Sequence, residues 1–319
     1  MRIFIFILSL CITTNLLSYG TPAKPTTIRS NLAPIAQTHD LRLDELHELF
    51  KTLNIKVEKT YAAMNAYAQK HWLRKPGQER WHMETSEHQS QADKVIQIIR
   101  LLGMIEQLDP TIENPDYAFV LGATVYRMRT RTQHLLELVE KGQFKPKKII
   151  FLTGERPLDP TQEPETLIMD KKFIRADWKY SGPIPKNESQ AAELIWDQLP
   201  KPDCIKNIPV MFVSTPMQNK NGKVVRPTTP DTIQTWLKTS PTPGSIVAFS
   251  NNPYVLYQHE TMKPLLIKAG WFKKGGQLET VGSGSSENIE LAPLLDNIAR
   301  YIYSILQVQH AEQEVRSSK

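Results

Sequence analysis

Five short apolar runs recur between residues 117 and 281, and amphipathic stretches of helical period separate them. The runs are Tyr117 to Leu121, Lys148 to Leu152, Pro209 to Ser214, Ser245 to Ser250 and Leu278 to Val281. Strands that are apolar along their whole length are buried on both faces, which an all-parallel sheet covered by helices provides. The intervening segments predict helices over Arg129 to Lys141, Asn187 to Leu199, Asp231 to Lys238 and Tyr254 to Ala269. A last helix is expected from Glu287 to Gln307. Gly142 is placed as a stop signal and Asn187 as a cap. The expectation is an α/β domain over 111–308, followed by a polar tail over 309–319.

Upstream the texture changes. Residues 1–20 open on Met1-Arg2, continue through the apolar run Ile3 to Leu17 and close on small residues, as a signal peptide does. An uncleaved anchor in the inner membrane is the alternative, although the run is short of the roughly 20 apolar residues a spanning helix needs. Residues 21–38 are polar and contain proline, as a linker does. Residues 39–110 read as a helical region, with a helix from Asp40 broken near Asn54 and a second from Ser86 to Gln107. Between them, His71 to Trp81 sets two tryptophans among cations. That pattern suits a grip on an anionic or sugar ligand, or a helix-hairpin turn packed by its aromatics, and the packed turn is preferred.

Charge and absences narrow the function. Lys+Arg 39 against Asp+Glu 33 gives +6, too small an excess to mark a dedicated nucleic-acid binder. Residues 1–20 carry one base and no acid, so removing them leaves 38 against 33, or +5, with Cys204 as the single thiol. Cys204 is expected as a half-buried structural residue. None of the eight histidines falls in an HxH or HExxH pairing, no Gly-x-Ser-x-Gly elbow occurs, and no Walker loop is present.

Ligands of open parallel sheets bind beyond the carboxyl ends of the strands. After the first strand come Gly122, then Arg127, Arg129 and Arg131, which cannot all share one helical face. At least one of them is expected in the crevice, where a guanidinium suits phosphate or carboxylate; a solvated basic loop is the other reading. After the second strand come Thr153-Gly154-Glu155-Arg156, with Glu155 placed to act as a base, bind a hydroxyl or pair with an arginine. Gly282 to Glu287 reads as a serine-capped connection.

The order of these pieces resembles the bacterial envelope family of unknown function typified by SanA, YdcF and ElyC. The resemblance covers about residues 116–269. It lies in Val120-Leu121-Gly122, in Arg131 through Leu135, Leu138 and Gly142, and in Phe151 to Gly154, with Glu155 in place of a glycine. Asn187 to Ala191, Arg226 to Thr232 and Val247 to Asn252 complete it, and Tyr254 and Tyr257 stand near the family's histidine. The resemblance implies a Rossmann-like domain, often linked to the envelope and suspected of handling nucleotide, cofactor or phosphate-bearing carrier ligands.

Together these readings predict an exported, periplasmic or extracellular protein with a helical region preceding a Rossmann-like sheet of about five strands. It would bind an anionic small molecule in envelope maintenance, with transformation of that ligand left open. Glu155 and Glu188 are the candidate catalytic carboxylates. Gly122, Arg127, Arg131, Gly154, Thr229, Ser250, Asn251, Asn252 and Tyr254 are the candidate ligand contacts, with Arg131 clamping the anion. No metal or nucleic-acid partner is expected, membrane-surface association is open, and no cofactor or oligomeric state is assigned. The rival readings are a catalytically inactive binding or scaffold module and an exported interaction protein working through its helical region.

Overall fold

The computed structural model describes residues 39–220, 222–285 and 290–318. Three helices come first, α1 (His39–Thr52), α2 (Tyr61–His71) and α3 (Ala92–Leu101). The break between α1 and α2 includes Asn54, whose φ of 57° is in the left-handed region that asparagine tolerates. The second predicted helix is shorter than its periodicity suggests. Ser86 to Gln91 winds as turns, and Gly103, with a φ of 75°, closes the C-terminal end. The expected signal segment and linker lie outside the described residues, as does the serine-capped start of the last helix.

The remaining elements alternate. They are β1 (Tyr117–Leu121), α4 (Val125–Glu140), β2 (Ile149–Gly154), the single turn α5 (Glu165–Ile168), α6 (Glu188–Gln198) and β3 (Val210–Thr215). A small hairpin follows, β4 (Gln218–Lys220) and β5 (Lys223–Val225), which the sequence pattern did not reveal. Then come α7 (Thr229–Leu237), β6 (Ser245–Asn251), α8 (Val255–Lys268), β7 (Gln277–Ser283) and α9 (Leu291–Ser317). The last helix runs past its expected end at Gln307 because Val308 and Ala311 extend its buried stripe.

All five long strands are parallel, in the order β3-β2-β1-β6-β7. This is a Rossmann-like α/β fold. Alternate residues of each strand feed opposite cores. Ala118, Val120, Ile149 and Phe151 pack with α4 and α6, while Phe119, Leu121, Ile150 and Leu152 pack with α7 and α8. The chain leaves β1 toward β2 on one side and returns to β6 on the other, so the switch in strand order lies at the carboxyl end of β1.

The first helices are tied to the last one. Gln69 donates to the Ala299 carbonyl at 2.9 Å, and the backbone amide of Arg74 donates to the Asp296 carboxylate at 3.2 Å. Asn252 reaches the carbonyls of Gly103 and Glu106. Cys204 is exposed in a short 3₁₀ turn rather than half-buried. No described helix is long and apolar enough to cross a membrane.

Candidate functional site, an arginine-lined cavity at the strand ends

A cavity of about 590 Å³ opens at the carboxyl ends of β1 and β2. Leu121, Gly122, Leu152 and Gly154 form its floor, and the start of α4, the start of α6, the Arg226–Thr229 segment and the start of α8 form its walls. Both floor glycines are there for space. A Cβ on Gly122 would lie 2.1 Å from Oε1 of Glu188, and one on Gly154 would lie 2.2 Å from the ring of Pro227.

Seven arginines line this cavity: Arg74, Arg80, Arg127, Arg131, Arg156, Arg226 and Arg300. The three arginines of α4 separate as their spacing required. Arg129 turns away and is buried, bonding the carbonyls of Leu167 and Ile168 and Oε1 of Gln198. Arg131 lies beneath the cavity wall, only 2% exposed. Its Nη1 donates to the carbonyls of Leu121 and Gly122 at 2.7 and 2.9 Å, and its Nε and Nη2 donate to Oδ1 of Asn251 at 3.1 and 2.8 Å. Those bonds make Arg131 an anchor of the strand end rather than a free clamp. Burial and neighbouring Arg127 pull its pKa down to about 9, which still leaves it charged at neutral pH. Arg127 is the guanidinium that faces the cavity, stacked on the ring of Tyr254 at 4.5 Å.

Arg80 stacks on the same ring at 4.6 Å. It comes from the His71–Trp81 segment, which the structure divides between its two readings. Trp72 is core, packed on Phe50 and Tyr67. Arg74, Glu79, Arg80 and Trp81 line the cavity. The organiser is Asp296 of α9, whose side chain is fully buried. It accepts from Nε of Arg80 at 3.0 Å and Nε of Arg300 at 3.1 Å, as well as from the Arg74 amide. Burial pushes the Asp296 carboxyl up, but Arg300, Arg80 and Arg74 outweigh it and hold it below its usual range. Across the cavity, Arg226 pairs with Glu79 at 3.0 Å.

Glu188 opens α6, where Asn187 caps the helix by accepting from the Gln190 amide. Its carboxylate accepts from the Gly154 amide at 3.2 Å and from Nε of Arg156 at 3.1 Å. Burial still raises its pKa, against the pull of Arg156. Arg156 also grips Glu163, at 2.7 and 3.0 Å. Glu163 in turn accepts from the amide of Val125, the first residue of α4, at 2.9 Å. The first amide of the helix start that commonly receives a phosphate in such folds is therefore taken by the chain's own carboxylate.

Of the sequence-derived candidates, Gly122, Arg127, Arg131, Gly154, Glu188, Thr229 and Tyr254 meet in the cavity. Glu155 does not. It is exposed, and its Oε1 accepts from Ser214 Oγ at 3.1 Å on the β3 side. Pleating explains this, since successive residues at a strand end point to opposite faces. Ser250, Asn251 and Asn252 are buried behind the wall, where Asn251 holds Arg131 and Asn252 holds the loop after α3. Sequence reasoning missed Arg156, one residue past Glu155, and Arg226, at the head of the Thr segment. Arg300 was missed for want of any signal, because an i,i+4 pair with Asp296 reads as helix surface. Among the described residues no cluster of three His, Cys, Asp or Glu is placed to hold a metal.

The fold and this cavity define a Rossmann-like α/β protein with a cationic crevice at its strand switch point. The chain matches no family model, no curated protein and no solved structure.

Proposed function

We propose that this protein binds an anionic small molecule, with phosphate as the recognised group, in the cavity beyond β1 and β2. One observation carries the reading: seven guanidiniums converge on one cavity at the place where parallel α/β sheets bind ligands. The proposal extends to an exported protein of the SanA, YdcF and ElyC kind acting in envelope maintenance on a nucleotide, sugar phosphate or lipid-carrier phosphate. Binding is the core of it. If a reaction follows, Glu188 is the sequence-derived carboxylate that lines the cavity, whereas Glu155 faces elsewhere.

A thermal-shift series on the full chain tests the reading, with nucleotides, sugar phosphates and a polyprenyl phosphate as ligands. At least one should raise the Tm of the wild type and fail to raise that of Arg127→Ala. Arg127 suits the purpose because its removal breaks no hydrogen bond to the strand ends. Stabilisation that persists undiminished in Arg127→Ala, or none with any ligand, would count against the cavity.

A further inference from the structure

We infer that the group recognised in this cavity is a diphosphate rather than a single phosphate. The inference rests on the anion-binding reading and sharpens it to a ligand class. Four carboxylates pair with five of the seven lining guanidiniums, namely Glu79, Glu163, Glu188 and Asp296. Seven against four leaves three positive charges to be met by a ligand. A phosphate monoester carries about two negative charges at neutral pH, and a second phosphate in the chain adds roughly one more.

The surplus falls in two sets of arginines. Arg127 and Arg131 form no ion pair with a carboxylate among the described residues, although Glu188 lies near enough to Arg131 to act on its charge. Arg74, Arg80, Arg226 and Arg300 share only Glu79 and Asp296. Each set is thus in excess by two, while Arg156, held between two carboxylates, is in deficit by one. The two sets meet at Tyr254, where Arg80 and Arg127 lie 4.6 and 4.5 Å from the ring centre. Two adjacent anionic groups, one per set, satisfy this arrangement better than one.

Glu163 already occupies the Val125 amide at the start of α4, so a ligand's charge falls mainly to the guanidinium side chains. The remaining volume, lined by Trp81 and Tyr126, has room for the group the diphosphate carries. A nucleoside and a prenyl chain share this chemistry, and the choice between them is left to the measurement.

Isothermal titration of the full chain with inorganic pyrophosphate and orthophosphate, ADP and AMP, and farnesyl diphosphate and farnesyl monophosphate reads the inference directly. Pyrophosphate should bind at least about tenfold more tightly than orthophosphate, and the ratio should collapse in Arg127→Ala. The same preference in the ADP pair identifies a nucleotide, and in the farnesyl pair a lipid carrier; either supports the diphosphate class. Mono- and diphosphates binding equally overturns the inference and leaves the anion site standing. If none of the six binds, the anion-binding reading itself fails, and the inference with it.

Discussion

Oε1 of Glu188 occupies the space that a side chain on Gly122 would require, 2.1 Å from the position of its Cβ. The end of β1 and the start of α6 are thereby fitted to one another through a charged group at the floor of the cavity. Gly122 also approaches the Leu152 carbonyl, which lies 2.9 Å from that position and belongs to the backbone of β2. Gly122→Ala should therefore cost about 2 kcal/mol, within the range for overpacking. Denaturant unfolding measures the loss, and a variant as stable as the wild type would show that the Glu188 carboxylate moves aside freely.

Glu163 links three segments through one buried carboxylate. It receives the Val125 amide, the Asp159 amide and both terminal nitrogens of Arg156. Its truncation leaves Arg156 half-paired and an amide at the start of α4 without an acceptor. Glu163→Ala should destabilise the protein by roughly 3 kcal/mol, as removing one partner of a buried pair does. Glu165→Ala, two residues on at the exposed start of α5, serves as the control and should change little. Equal effects from the two would remove Glu163 from its structural role.

The parts of this architecture that local rules govern were legible in the sequence. Strands buried on both faces show as unbroken apolar runs, so β1, β2 and β6 are readable. The strand-end rule then leads to Gly122, Arg127 and Gly154, which line the cavity. It fails at Glu155 and Arg156, because one step along a pleat exchanges the cavity for the far face. It fails differently for Arg74, Arg80 and Arg300. Those residues reach the cavity through Asp296, 222 positions from Arg74 in the chain, and no local pattern records that packing. The hairpin β4–β5 is too short, at three residues a strand, to show alternation.

Asp296 should make the protein acid-sensitive. Its carboxyl is held below its usual range by Arg300, Arg80 and Arg74 acting against burial. A depressed folded-state pKa adds stability above the unfolded value of about 3.9, and that stability drains away as pH falls through the lower folded value. Urea unfolding between pH 6 and pH 3 should show a fall that is smaller in Asp296→Asn, since the variant has no carboxyl to protonate there. At pH 7 the same variant should be the less stable of the two, having left Arg80 and Arg300 without their counter-charge. Parallel pH curves for the two proteins would contradict this.

Glu188 should produce the opposite linkage. Burial raises its pKa despite Arg156 and the Gly154 amide, so folding shifts this carboxyl toward protonation relative to the unfolded chain. The stability this contributes is complete below the unfolded value of about 4.3 and is lost as pH rises through the higher folded value. The stability of the wild type relative to Glu188→Gln should therefore decline as pH rises above about 4.3, whereas that relative to Asp296→Asn should rise between pH 3 and pH 6. A buried carboxylate that is costly to ionise fits a site whose charge is completed by a ligand. Such a ligand places negative charge near a residue already reluctant to carry it, and so should raise the Glu188 pKa further. Binding of inorganic pyrophosphate near neutral pH should accordingly be accompanied by proton uptake at Glu188, in addition to any from the ligand itself. Titration calorimetry in two buffers of different ionisation enthalpy measures that uptake, and Glu188→Gln should remove its protein-derived part. If the uptake is the same in the variant, Glu188 does not sense the bound anion.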